Sequence, residues 1–145
     1  MNHNIKLLMV EDNPADVDLI TENLSDSKIL HDLYVVSDGM EAMRFLNQEA
    51  EYKDAPSADL ILLDLNLPLK DGFEVLNSIK EDEKLCRIPV VILTSSQAEE
   101  DVLRSYNLHA SAYVTKPLNL KGFADIVRGI EDFWFSVVRF PQNAE

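Results

Sequence analysis

The sequence predicts one α/β unit, a parallel sheet of five strands wound with helices on both faces in the order 2-1-3-4-5. Three observations carry this. Short apolar runs recur as "IKLLMV" (5–10), "LYVV" (33–36), "LILLDL" (60–65), "PVVILT" (89–94) and "AYVT" (112–115). Helical patterns fill the intervals, near 14–25, 39–48, 72–81, 97–108 and 120–139, as strands buried under crossover helices require. The chain is also the size of one domain with one core, at 145 residues and 46% hydrophobic content.

Each element has its own signal. Asn13 can cap the first helix, with Pro14 at its first position and Asp16 in its first turn. Val17, Ile20 and Leu24 then fall on one face. Asp38 with Glu41, and Ser96 with Glu99, have capping-box spacing or its Asp-led variant. Leu118 and Phe123 can staple a last helix capped by Asn119. The long polar connection "NQEAEYKDAPSAD" reads as a helix end followed by a loop. There is no internal repeat, low-complexity segment or linker, so 1–145 is expected to form a single domain with an extended C-terminal helix.

Composition narrows the function classes. Twenty-six acids against 13 Lys and Arg give a formal charge of −13 with no basic cluster, which argues against nucleic-acid binding. A single cysteine, Cys86, excludes an internal disulfide and a cysteine-rich zinc site. The start "MNHNIKLLMVEDN" lacks the apolar length of a signal peptide, and no run approaches a membrane span, so a cytoplasmic protein without membrane contact is expected. His3, His31 and His109 fall at a terminus, in a loop before the second strand and near the end of the fourth helix, without metal-ligand spacing.

Asp64 stands at the end of the most apolar run. A carboxylate buried without a partner costs several kcal/mol or changes its protonation, so it needs an exit to solvent or a cation. In a doubly wound sheet the site lies beyond the carboxyl ends of the strands at the switch point, here between the first and third. Glu11 and Asp12 follow the first strand, so three carboxylates are expected in one crevice with Asp64. A polar turn and helix cap is the plainer use of "EDN" alone. A divalent cation with a preference for oxygen resolves the repulsion of three acids, and Mg2+ suits it. Asp12 and Asp64 are the candidate direct ligands, the backbone carbonyl of Asn66 a third, and Glu11 a ligand through water. Thr94 and Lys116 close the fourth and fifth strands, where a hydroxyl and an ammonium can hold oxygens of a phosphoryl group on Asp64. Asp64 would then be a nucleophile forming an acyl phosphate.

The segments "MVEDN", "LLDLNLPLKDG", "VILTSS" and "AYVTKP" resemble, in order and across nearly the whole chain, the receiver domains of two-component response regulators. The resemblance implies the CheY-like, flavodoxin-like (βα)5 fold. It makes Asp64 the phosphoacceptor supplied by a sensor histidine kinase or phosphotransfer protein, Glu11 and Asp12 the metal-side acids, Thr94 the switch hydroxyl, Lys116 the phosphoryl-binding lysine and Tyr113 the switch aromatic. "SYNLHA", "GIEDFW", the closing "FPQ" and the insertion "AEYKDAPSAD" also look like the single-domain regulators of bacterial phytochrome-type kinases.

Output is expected from the C-terminal helix. At the helical period Ile126, Ile130, Phe133 and Val137 form one apolar stripe, and Val127, Trp134 and Val138 a second about 100° around. One can cover the sheet; the other wants a partner, so a homodimer through Ile130, Phe133, Trp134, Val137 and Val138 is the preferred reading, with a fold-back over the same domain as the alternative.

Three other classes fit less well. A haloacid-dehalogenase-type phosphatase wants a second acid two residues after the nucleophile, where Asn66 stands. A flavin binder wants a Ser/Thr/Gly-rich phosphate loop, where "EDNPAD" is acidic. A receiver-like scaffold without phosphorylation would not need the complete acceptor set.

Overall fold

The computed structural model describes residues 4–26, 31–67, 69–94 and 112–115. In chain order these form β1 (Ile5–Val10), α1 (Pro14–Ser25), β2 (His31–Val36), α2 (Gly39–Leu46), a short 3-10 helix (Ala50–Tyr52), β3 (Leu60–Asp64), α3 (Gly72–Glu81), β4 (Val90–Thr94) and β5 (Ala112–Thr115). The sheet runs β2-β1-β3-β4-β5, every neighbouring pair parallel, as the sequence predicts. The expected helices at 97–108 and 120–139 lie outside the described residues.

Alternation along the strands builds two cores. Leu8, Val10, Ile61 and Leu63 pack on one face with Phe45, Val75, Leu76 and Ile79 from α2 and α3. Ile5, Leu7, Met9, Leu60 and Leu62 pack on the other with Ile20 and Leu24 of α1. Both faces of β3 are therefore covered and all five of its residues are buried. Burying a Leu or Ile side chain is worth about 1.5–3 kcal/mol, so the strand that ends in Asp64 is a strongly held one.

The helix starts follow their side chains. Asn13 Oδ1 accepts from the N–H groups of Ala15 (2.9 Å) and Asp16 (3.4 Å), with Pro14 at the first position. Asp38 caps α2 by accepting from Glu41 N–H at 2.7 Å. The reciprocal half of that box differs from expectation: the Glu41 carboxylate accepts from the N–H of Ser37, at 2.8 Å, one residue before the cap. A complete capping box instead opens α3, between Asp71 and Glu74.

Other differences are at edges. β2 begins at His31, so this histidine is the first residue of the strand rather than part of the preceding loop; the ladder starts where His31 meets Ile5 in register. Its neighbour Asp32 pairs with Lys6, which extends the sheet past the apolar run at 33–36. That contact raises the Lys6 pKa and lowers the Asp32 pKa. α2 stops at Leu46 instead of reaching 48, because Gln48 and Ala50 take left-handed backbone angles, φ 56° and 52°. The long polar connection then folds rather than looping out: the Tyr52 ring packs 5.3 Å from that of Phe45. Among the described residues no helix is long and apolar enough to cross a membrane.

Candidate functional site

Parallel pairing gathers the carboxyl ends of the strands on one edge of the sheet. Val10 is in register with Leu63 and with Val36, so the residues after β1 and the last residue of β3 arrive side by side. Main-chain bonds fix both positions. Glu11 N–H donates to the carbonyl of Val36 at 3.0 Å, and Leu65 N–H donates to the carbonyl of Leu93 at 3.2 Å.

There the carboxylate oxygens of Glu11, Asp12 and Asp64 come within 4.8 Å of one another. Glu11 and Asp64 are each only 1% exposed, whereas Asp12 faces solvent. Asp64 stands at its strand end as expected, yet is set below the surface, because the chain after it turns back: Gly72 N–H donates to the carbonyl of Leu65 at 3.1 Å. Two short-range bonds orient the acids. Asn13 N–H donates to Glu11 Oε2 at 3.2 Å, and Asn66 N–H donates to Asp64 Oδ1 at 3.1 Å.

The donor set decides which ions fit. Three carboxylates, without imidazole or thiolate, suit a hard divalent cation such as Mg2+ or Mn2+ and disfavour a soft one. The cluster's own repulsion points the same way, since a bound cation offsets it. Both strands leading into it are buried and paired on both sides, which is what a preorganised acid group needs.

The rest of the expected site is covered unevenly. The Thr94 backbone ends β4 one residue beyond Leu93, the partner of Asp64, and is itself in register with Thr115. The side chains of Thr94 and Tyr113 lie outside the described residues, as do Lys116 and the candidate interface residues Ile130, Phe133, Trp134, Val137 and Val138.

Sequence reasoning passed over three features beside the cluster. One is the Asp71 and Glu74 capping box, whose spacing was visible as "DGFE". A second is Leu69, at φ 66° in the turn after Asp64. The third is a pair of glycines, Gly39 and Gly72, each tight against main chain of the segment after β3.

A second polar hub braces the neighbouring β2 end. Glu41 accepts from Ser37 N–H and, through Oε2, from the Tyr52 hydroxyl at 2.8 Å. The Ser37 N–H is the main reason its carboxyl is held below the usual range. Burial first, then the bond to Glu41, pushes the Tyr52 hydroxyl up to about 12. Since Ser37 directly follows Val36, the peptide group between them serves both contacts: its carbonyl accepts from Glu11 N–H and its N–H donates to Glu41.

Comparison with known proteins gives a consistent picture. The response regulator receiver domain model matches residues 7–128. Response regulator Rcp1 of Synechocystis sp. is 52% identical over 135 residues, covering 93% of this chain and 92% of that protein. The crystal structure of the phosphorylated cyanobacterial phytochrome response regulator RcpA superposes with a TM-score of 0.83 at 52% identity, covering 96% of this chain and 99% of that one. The Mn2+-bound form of response regulator Rcp1 gives 0.81 at 51% identity, over 94% and 99% of the two chains.

Proposed function

Because this chain belongs to the response regulator receiver domain family, we propose that it signals by accepting a phosphoryl group on Asp64 from a sensor histidine kinase or phosphotransfer protein. The observation that carries the reading is the meeting of three carboxylates within 4.8 Å at the ends of two central strands, with Asp64 buried among them. The phytochrome response regulators among its relatives support a phytochrome-type kinase as donor.

Mg2+ fits the chemistry of the site: Asp12, Asp64 and the backbone carbonyl of Asn66 would hold it, with Glu11 through water. Bound there, the cation supplies charge neutralisation for the phosphoryl oxygens. The chain supplies the rest. Asn66 N–H holds Oδ1 and so fixes the plane of the carboxylate. A carboxylate oxygen of Asp64 attacks phosphorus, the phosphorus–nitrogen bond of the donor phosphohistidine breaks, and its electron pair returns to the imidazole. Lys116 and Thr94 take phosphoryl oxygens in this reading. The protein assists its own modification and turns over no external substrate.

In this reading 1–145 acts as one receiver domain whose output is carried by its C-terminal segment. Phosphorylation replaces one negative charge with roughly −1.5 to −2. That draws Thr94 inward, lets Tyr113 turn, and changes a homodimer face formed by Ile130, Phe133, Trp134, Val137 and Val138. Neither nucleic acid nor membrane is a partner in this reading.

Intact mass after incubation with acetyl phosphate and Mg2+ tests it, with Asp64→Asn and an EDTA-treated sample as controls and size exclusion on each. A labile single-phosphoryl adduct on the native chain alone, and only with metal, is expected. A folded native chain that takes no phosphoryl group, beside a competent control receiver, would overturn the reading.

A further inference from the structure

The segment joining β3 to α3 is held by two close contacts that only glycine allows, one at the start of α3 and one from α2. At Gly72, the first residue of α3, a Cβ would meet the carbonyl oxygen of Asp64 and the Cα of Leu65, with the Asp64 carbonyl carbon 3.1 Å away. At Gly39, the first residue of α2, a Cβ would run into the Lys70 carbonyl, its carbon 2.7 Å away, and the Lys70 Cβ, also 2.7 Å away. These neighbours are main chain or attached directly to it, so no rotamer change makes room.

Leu69 sits between the two contacts in the left-handed region, φ 66°, with its side chain 78% exposed. A leucine gains nothing from that backbone conformation. With so little side-chain burial to hold it there, the course of the segment is imposed from its ends, where strained residues persist only if the surroundings determine them. Within this segment lies Asn66, whose N–H reaches back to Asp64 Oδ1.

We propose that Gly39 and Gly72 are positioning residues for the cation site: together they clamp the segment after β3 in the course that sets Asp64 and Asn66 for metal binding. The proposal rests on the reading of the acid cluster as a cation site. It makes α2, which contributes no ligand, a determinant of metal affinity through the backbone of Lys70.

The test is a titration with Mn2+, followed by the paramagnetic resonance of the free ion, beside thermal unfolding of the metal-free proteins. Met40→Ala, one position along α2 at an exposed residue, is expected to bind like the native chain. Gly39→Ala is expected to bind on the order of 10–100-fold more weakly, the usual size of an indirect effect on a metal site. A purely structural role would lower the metal-free melting temperature and leave the affinity of the folded molecules alone.

Leu69→Pro provides a second route that spares the core, because proline imposes φ near −65° at an exposed position. It is expected to weaken Mn2+ in the same way, and it decides the matter if Gly39→Ala does not fold. Native affinity in folded Gly39→Ala or Leu69→Pro would overturn the clamp and leave the cation site standing. A native chain without Mn2+ affinity would overturn both.

Discussion

Replacing Asp64 by Asn should reverse the order of stability between variant and native chain according to whether Mg2+ is present. The three carboxylates lie within 4.8 Å of one another, and two unit charges at that distance repel by about 3–4 kcal/mol at an effective dielectric constant near 20. Asp12 is exposed and its charge is screened, so only part of this is recovered when one charge is removed. The amide oxygen of Asn can still accept from Asn66 N–H, so the orienting bond is kept. Counted from this repulsion alone, a gain of about 1–2 kcal/mol is expected for the metal-free variant, or roughly 3–8 °C in melting temperature for a domain of this size.

Saturating Mg2+ should act the other way. At a hundred times its dissociation constant a ligand stabilises the state that binds it by about 2.7 kcal/mol, more than the gain from removing the charge. The native chain should therefore overtake Asp64→Asn in Mg2+. The assay is thermal unfolding by circular dichroism, well above the carboxylate titration range, with and without the ion. A variant less stable than native without metal, or one that gains as much from Mg2+, would refute the repulsion and ligand arguments respectively.

Further outcomes follow from particular contacts. Tyr52 has its folded value raised from 10.0 to about 12, so its contribution is present in full below 10 and is lost as pH rises toward about 12. Tyrosinate absorbance should lose a component titrating at about 12 in Tyr52→Phe. Glu41 is shifted the other way, so its contribution is present above its ordinary 4.5 and fades as pH falls; the unfolding free energy of Glu41→Gln should fall less steeply than that of the native chain as pH drops below 4.5. Asp71→Ala removes the α3 cap and should cost about 1 kcal/mol by denaturant unfolding. Leu63→Ala, at a fully buried position beside Asp64, should cost about 2–5 kcal/mol by the same assay.

The sheet was legible because its signals are local and redundant. Every strand in "IKLLMV", "LILLDL" and "PVVILT" is an apolar run, and the strand order follows from how such sheets wind. The acids were legible for a related reason: Glu11, Asp12 and Asp64 stand where strands end, and parallel strands end together. The start of β2 was less legible, because an ion pair between Lys6 and Asp32 carries the ladder beyond the hydrophobic residues. So was the depth of Asp64, beside which the chain returns at Gly72 through a main-chain contact that no side chain announces. Gly39 against Lys70 is hidden in the same way, since close approach between main chains leaves only the glycine as a trace.

The acid cluster also explains why the strand bearing Asp64 is so heavily buried. A repulsion of a few kcal/mol is a large share of the roughly 5–15 kcal/mol by which a domain of this kind is stable. It is tolerable only if the groups cannot relieve it by moving apart, and β3, buried on both faces between β1 and β4, leaves Asp64 little room to do so. Three close carboxylates make the site responsive, because any gain of charge at Asp64 has to be answered by a cation or by movement elsewhere. A switch from 1:99 to 99:1 needs about 5.5 kcal/mol of differential stabilisation, more than one hydroxyl bond from Thr94 supplies. Charge added to a cluster of acids can contribute at that scale, and on the proposed homodimer reading a second copy can contribute the remainder. Phosphorylation and dimerisation should therefore be coupled: an acyl phosphate on Asp64 should tighten self-association, and a concentration high enough to force association should slow loss of the phosphoryl group.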